Sequence, residues 1–397
     1  MKITKIDVFQ VNSSDDPIWK PVLCRIYTDE GIYGDGEAAM AYGVASSGAF
    51  GMVQDLANYI MGMNPLENEV IWQKMYRSTF WGQNAGGVFT AAMSAIDMAL
   101  WDIRGKYYNT PIYMLLGGKL RDNIRCYASQ LQFGWQDSMG AMFSIDDYIW
   151  AAKEAVKQGY DCIKVDFLWF KPEGGKYSEG ERTTILHPKT MEVVLQRLKA
   201  MREAVGPYVD IIMENHSFTD AQSAVQLARA VEPYNIYYFE EPNTPDAHTA
   251  KYISEKTNIP IANGERIFTR WQYAKFFQEN TMQVAQPDIG TCGGITEVKK
   301  VCDLAYIYDV AVQVHACGSP LSTAAALHVE AAIPNFIIHE HHIVNLTPAN
   351  KRLCKYDYQP ENGKYKIPEK PGLGNELSDY VLNECTKVSI ESNKFAW

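Results

Sequence analysis

The sequence predicts an α/β protein: a parallel (β/α) barrel of the TIM type behind an N-terminal α+β module. Three observations predict it. The first stretch alternates apolar and polar residues, then gives way to helix-rich sequence as far as residue 118. From about residue 123, eight short apolar runs alternate with amphipathic stretches. The last six of those runs each close on an ionisable residue, at intervals of 23 to 27 residues, about one strand–helix unit. Strands alternating with helices build a parallel sheet covered by helices, and eight such units suffice to close it into a barrel.

Taking the elements in order, Ile3, Ile6 and Val8, then Val22, Cys24 and Ile26, alternate as antiparallel strands do. They turn at Asp29-Glu30-Gly31, in a hairpin ending near Gly34-Asp35-Gly36. Residues 45–118 are helix-rich, and 91–102 form the clearest helix, with a broad apolar face and small residues that predict burial on two sides. Gly117-Gly118 ends this module. The eight apolar runs follow at 124–127, 162–166, 209–214, 236–240, 259–265, 282–288, 310–315 and 336–340, with helices fitting between them at 189–204, 219–231, 293–308 and 320–333. The chain thereby divides into 1–122, 123–345 and a Pro- and Gly-rich segment, 346–397, expected to pack back on the first module.

Composition narrows the function. The 397 residues are 47% hydrophobic and 21% charged, enough for a sizeable core and incompatible with wholesale disorder. Lys plus Arg number 37 against 47 Asp plus Glu, a net charge of −10 that argues against nucleic acid as a partner. An acidic substrate would also be repelled unless a cation were held locally. The eight cysteines never form a CxxC pair, which disfavours a zinc knuckle or a disulfide lattice and fits reduced thiols in a cytoplasmic protein. The N-terminus lacks the apolar stretch of a signal peptide, and no run reaches the roughly 18 apolar residues of a membrane span.

The residues closing the last six runs are Glu214, Glu240, Glu265, Asp288, His315 and Glu340. Barrel active sites lie at the C-terminal ends of the strands, so these side chains are expected to converge on one mouth. Three carboxylates on neighbouring strands repel unless a dication joins them, and an all-oxygen set favours Mg²⁺. Glu214, Glu240 and Glu265 are the expected ligands. A metal-bound carboxylate substrate would lose an α-proton more easily, through an enediolate. His315 is the candidate base, with Asp288 fixing its tautomer. His216, two residues beyond Glu214 and on its face by strand alternation, is the candidate acid for a leaving hydroxyl. The run His339-Glu340-His341-His342 does not read as a second metal site, because consecutive strand residues face opposite ways.

These residues, with Ala99-Leu100-Trp101-Asp102-Ile103-Arg104-Gly105-Lys106, Leu115-Leu116-Gly117-Gly118, Phe239-Glu240-Glu241-Pro242, Gly264-Glu265, Gln286-Pro287-Asp288 and Pro371-Gly372-Leu373-Gly374, make the chain resemble the enolase superfamily, and within it the mandelate-racemase-like acid-sugar dehydratases. The resemblance spans nearly the whole chain. It implies an N-terminal cap over a modified TIM barrel, completed by the C-terminal tail. It also implies Mg²⁺ on Glu214, Glu240 and Glu265, a base dyad of Asp288 and His315, Glu340 on the substrate carboxylate, and His216 as acid in the galactonate- and mannonate-dehydratase-like branches. Relatives of this kind commonly form homo-oligomers.

Departures from the family pattern bear on the reaction. Racemases of this kind carry Lys-x-Lys at the end of the second barrel strand, where this chain has Lys164-Val165-Asp166. The two-base arrangement is then incomplete, which favours loss of water. Mannonate dehydratases have an Arg here and a Tyr on the next loop; Lys164 and Tyr177 match them only loosely, and the role is not carried over. The first ligand is Glu where many dehydratases show Asp. Lys164 is a candidate cation or base, Asp166 a candidate substrate contact, and Trp81, in segment 80–87, lines the expected specificity pocket together with segment 14–22. The stretch 167–188 exceeds ordinary loop length and reads as a lid or interface element. The expected activity is dehydration of an aldonate to a 2-keto-3-deoxy acid, a step of carbohydrate catabolism. Racemisation or epimerisation through Lys164 and His315, and a low-turnover sensor barrel, are the alternatives.

Overall fold

The computed structural model describes residues 1–12, 19–136 and 138–392. Strands β1 (Ile3–Gln10), β2 (Val22–Thr28) and β3 (Tyr33–Ala38) pair antiparallel, and the tail strand Thr386–Ile390 adds to the free edge of β1, Ile6 opposite Ile390. The N-terminal sheet is therefore completed from the other end of the chain. Helices α1 (Ser46–Ile60), α2 (Asn68–Ser78) and α3 (Gly87–Tyr107) follow. Gly34 and Gly36 lie inside β3 instead of closing the hairpin, because α3 runs flush against them. A Cβ on Gly36 would stand 1.9 Å from the carbonyl oxygen of Ala95.

Helix α3 is buried on two sides, and two aspartates on it clamp the rest of the chain. Asp97 accepts from the N–H and hydroxyl of Thr296 at 2.9 and 2.6 Å, on a barrel helix. Asp102 accepts from the Asp35 and Leu373 N–H groups at 3.1 and 2.9 Å, so the 371–374 motif is the joint between tail and cap.

The barrel strands are Asn123–Ser129, Cys162–Val165, Asp210–Glu214, Ile236–Glu240, Ile261–Asn263, Val284–Ala285, Ala311–Val312 and His339–His342. Along the sheet they run seventh, sixth, fifth, fourth, third, second, first, eighth. A parallel bridge between Val312 and Phe336 joins the seventh to the approach of the eighth. Helices follow the first seven strands, from Ile145–Lys157 to Pro320–Ala332, whereas the eighth leads only into short turns of helix. Tyr127, Ile212, Tyr238, Ala262, Val284 and Ile338 fill the barrel interior as one buried cluster. Side chains two residues further along a strand point the same way, so Ser129, Glu214, Glu240 and Glu340 stand in the next layer up. Lys164 joins that layer two residues after Cys162 of the same cluster. All eight cysteines are free thiols, and no described helix is long and apolar enough to cross a membrane.

Candidate active site

Glu214 and Glu240 end their strands and are 1% exposed. Glu265 lies two residues beyond the fifth strand. One oxygen from each of the three falls within 4.8 Å of the others. Glu240 Oε2 has no hydrogen-bond partner, and Glu214 Oε1 has only His216 Nε2 beside it, at 3.4 Å. Buried carboxylate oxygens left unpaired and pointed together are costly unless a cation satisfies them. The donor set is all oxygen, which suits a hard dication.

Lys164, 1% exposed, reaches into this cluster, 2.5 Å from Glu240 Oε1, 2.9 Å from Glu340 Oε1 and 3.1 Å from Glu214 Oε2. Burial works against its charge, but Glu214, Glu240 and Glu340 together hold its pKa well above the ordinary lysine range. Glu240 is pushed up to about 8 by burial, with Glu214 and Glu340 adding to the rise against Lys164. Glu340 also accepts from Ser129 Oγ at 2.6 Å and from the Ala316 N–H at 3.1 Å.

Two carboxylate–histidine pairs flank the cluster. His315 Nδ1 lies 2.6 Å from Asp288 Oδ2, and its Nε2 is 3.0 Å from Glu265 Oε2 and 3.8 Å from Glu340 Oε2. Burial opposes protonation of His315, yet Glu265 and Glu340 outweigh it and raise its pKa well above the usual value. On the other side, His216 Nδ1 lies 2.8 Å from Asp166 Oδ2. Burial lowers the pKa of His216, but Glu214 and Asp166 carry it up to about 9. Its placement differs from the expectation of strand alternation: the strand ends at Glu214, and His216 and Ser217 turn back with φ of 47° and 59°. Asp166, expected on the substrate, is instead committed to His216 and to the Leu168 N–H.

Other expected residues fall elsewhere. Trp81 is 79% exposed and packs edge-on against Phe80, with no contact to the carboxylate cluster. Tyr177 is buried in the core outside the barrel strands. Of segment 14–22, residues 14–18 lie outside the described residues. His339 bonds Glu330 at 2.7 Å and His341 bonds Tyr160 at 2.5 Å, both away from Glu340; the described residues contain no other candidate metal group. Stretch 167–188 is pinned by Arg197, which donates to the carbonyls of Phe167 and Phe170 at 3.0 and 2.7 Å, and it carries a short helix, Glu179–Arg182.

Two site residues escaped the sequence reading. Gln130 donates to Glu214 Oε2 at 2.9 Å and lies 3.1 Å from His216 Nε2. It follows the first strand, which closes on no ionisable residue. Arg266 bridges Glu265 and the buried Glu241; its only signal was adjacency to Glu265.

Known proteins resemble this chain over nearly its whole length. Residues 18–117 match the mandelate racemase / muconate lactonizing enzyme N-terminal domain, and 147–381 the enolase C-terminal domain-like family. The chain is 30% identical to the D-galactonate dehydratase of Pectobacterium atrosepticum over 100% of this chain and 97% of that one. It is 31% identical to the D-xylonate dehydratase of Haloferax volcanii over 90% and 83% respectively. A crystal structure of an enolase-superfamily member from Salmonella Typhimurium superposes with a TM-score of 0.95 at 49% identity, covering 98% of this chain and 99% of the other. The chain belongs to the mandelate racemase / muconate lactonizing enzyme family of the enolase superfamily.

Proposed function

We propose that the protein is a Mg²⁺-dependent hydro-lyase that dehydrates a sugar acid of five or six carbons, of the aldonate type, to a 2-keto-3-deoxy acid. The observation that carries this reading is a single cluster of three carboxylates flanked by two histidines, each held by its own aspartate. The curated relatives, by name a galactonate and a xylonate dehydratase, support the reaction class.

Glu214, Glu240 and Glu265 would hold the metal. When bound, it supplies Lewis-acid charge that eases α-deprotonation of a carboxylate. Asp288 keeps the proton of His315 on Nδ1, and with the charge of Glu265 that raises the ring's pKa taken up by a bound metal, Nε2 would be left to take the α-proton. Glu340 with Lys164, 2.9 Å from its Oε1, flanks the place for the substrate carboxylate, the ammonium supplying the donor that two carboxylates lack. On the opposite flank His216, paired through Nδ1 with Asp166, delivers a proton to the β-hydroxyl as it leaves as water. The enol then tautomerises to the keto acid. Residues 1–122 with 346–397 act as the cap and 123–345 as the catalytic barrel.

The racemase alternative lacks the second lysine of a Lys-x-Lys pair: Asp166 stands at that position and is paired with His216. Keto-acid formation from a library of sugar acids, with Mg²⁺ and with chelator, tests the proposal. Metal-dependent turnover of one member is the expected result. Metal-loaded enzyme that converts none, or that only washes solvent deuterium into C2, overturns it.

A further inference from the structure

Two glutamines follow the first barrel strand, Gln130 5% exposed and Gln132 fully enclosed. Both belong to one tight turn: Gln130 precedes the 3₁₀ turn Leu131–Phe133 and takes a left-handed backbone, φ 70° and ψ 40°. Such a conformation is uncommon outside glycine and gathers at functional sites. The direction of the two amides is set from one end. The Asp166 N–H can only donate, and it donates to Gln132 Oε1 at 3.2 Å. Gln132 must then present Nε2 to Gln130, whose Oε1 accepts from it. Gln130 is left with its NH₂ facing the site, 2.9 Å from Glu214 Oε2 and 3.1 Å from His216 Nε2. Turned over, the Gln130 amide would set oxygen against a carboxylate oxygen and NH₂ against NH₂.

The two oxygens of Glu214 are served unequally. Oε2 receives the Gln130 amide and has Lys164 Nζ at 3.1 Å. Oε1 has no hydrogen-bond partner and only the His216 ring beside it, at 3.4 Å. A carboxylate gripped through one oxygen presents the other at a fixed angle, and Mg²⁺ demands near-ideal geometry of its ligands. Asp166, where the relay of amides begins, also holds His216 Nδ1 at 2.8 Å. The proposed ligand and the proposed proton donor are therefore aligned from a single residue.

We infer that Gln130 is a positioning residue for the metal: oriented from the Asp166 backbone through Gln132, its amide holds Glu214 by Oε2 and aims Oε1 at the cation. The inference rests on the proposed trio of Glu214, Glu240 and Glu265, and is independent of which acid is dehydrated. Gln132 touches no ligand and acts only by fixing which way the Gln130 amide faces.

Magnesium titrated by calorimetry into the metal-free full chain tests this. In Gln130→Met, which keeps the side-chain length and removes the donors, the dissociation constant is expected to rise about 10- to 100-fold, the range for losing a group that orients a ligand. Gln130→Asn keeps an amide and tolerates the left-handed backbone, but falls one methylene short of Oε2. It is expected to lose as much, which separates the donor from backbone strain and decides the matter should Gln130→Met not fold. Gln132→Met frees the Gln130 amide to turn, and a smaller rise, roughly three- to tenfold, is expected. The double variant Gln130→Met, Gln132→Met should be no weaker than Gln130→Met alone, because Gln132 acts through the amide already removed; two separate packing roles would add their losses. Affinity within about twofold of wild type in Gln130→Met and Gln130→Asn, or additive losses in the double variant, overturns the inference and leaves the trio standing. Wild type that takes up no magnesium overturns both. The expected pattern in a protein that turns over no sugar acid upholds the inference while the dehydratase reading falls.

Discussion

Replacing Asp288 by Asn isolates the one proton on which the proposed base depends. Asp288 uses both oxygens: Oδ1 accepts from the Gly290 N–H at 2.6 Å, and Oδ2 faces His315 Nδ1 at 2.6 Å. In Asp288→Asn the Gly290 N–H still demands an acceptor, which fixes the amide oxygen on that side and turns the NH₂ toward the imidazole. His315 must then accept at Nδ1 and carry its proton on Nε2, the nitrogen that lies 3.0 Å from Glu265 and is needed for the α-proton. A neutral imidazole in that tautomer has no free lone pair facing the substrate. The same substitution in a serine-protease triad lowers kcat about 10⁴-fold by the same tautomer error, equivalent to about 5 kcal/mol in the barrier. A loss of that order is expected here, measured as kcat for keto-acid formation at saturating Mg²⁺. Asp288→Ala, which frees the ring without dictating a tautomer, is expected to lose less. Magnesium affinity, read by calorimetry, is expected to stay near wild type because Asp288 is outside the carboxylate trio. An Asp288→Asn enzyme within tenfold of wild-type kcat would refute the assignment.

Two further outcomes follow from the buried charges. Glu240→Gln removes one expected ligand, so magnesium affinity should fall at least about 100-fold, beyond the range typical for outer-sphere changes. Because burial already pushes Glu240 up to about 8 without metal, the neutral amide should leave the metal-free melting temperature unchanged or higher, while the magnesium-induced rise disappears; a rise that survives in the variant excludes Glu240 as a ligand. His328 is fully buried, bonded through Nε2 to the Leu373 carbonyl at 3.1 Å, and burial lowers its pKa to about 4. The unfolded chain, with an ordinary histidine near 6.5, binds the extra proton between those values, so stability is complete above about pH 6.5 and declines as pH falls toward 4, by about 3 kcal/mol. His328→Gln should flatten the pH dependence of denaturant unfolding in that window, measured with chelator present; parallel curves for variant and wild type would contradict it.

Much of the barrel was legible because a strand buried on both faces must be apolar except where it ends at the mouth, so each closing carboxylate stood out against its run. That logic located Glu214, Glu240 and Glu340 through simple alternation. It passed over Gln130, since an amide at a strand end is no contrast to a neutral run. His216 was found by a rule that does not place it: two left-handed residues after Glu214 bring the imidazole back over the site, and single-residue φ reversals outside glycine carry little sequence signal. Asp166 was seen as a departure from a lysine pair, and its geometry now makes it the partner of His216.

The cap bears on the chemistry through its β3 edge, well away from its exposed loops. Glu37, fully buried at the end of β3, accepts from the Ser319 N–H at 2.9 Å, from Ser319 Oγ at 2.5 Å and from Ser322 Oγ at 2.7 Å. Ser319 lies four residues after His315 and caps the helix Pro320–Ala332. One residue past the end of β3, the Ala39 N–H donates to the Gly290 carbonyl at 2.9 Å, on the loop that leaves Asp288. The approach is so close that a Cβ on Gly290 would lie 2.4 Å from that of Ala39. One short cap segment therefore grips both loops of the Asp288–His315 pair, whose 2.6 Å hydrogen bond spans adjacent strands of only two residues each. Such short strands have little ladder of their own to hold that register, and the buried carboxylate of Glu37 supplies the missing constraint. An α+β module that looks from sequence like a separate domain is, at this edge, part of the scaffold that keeps the proposed base aligned.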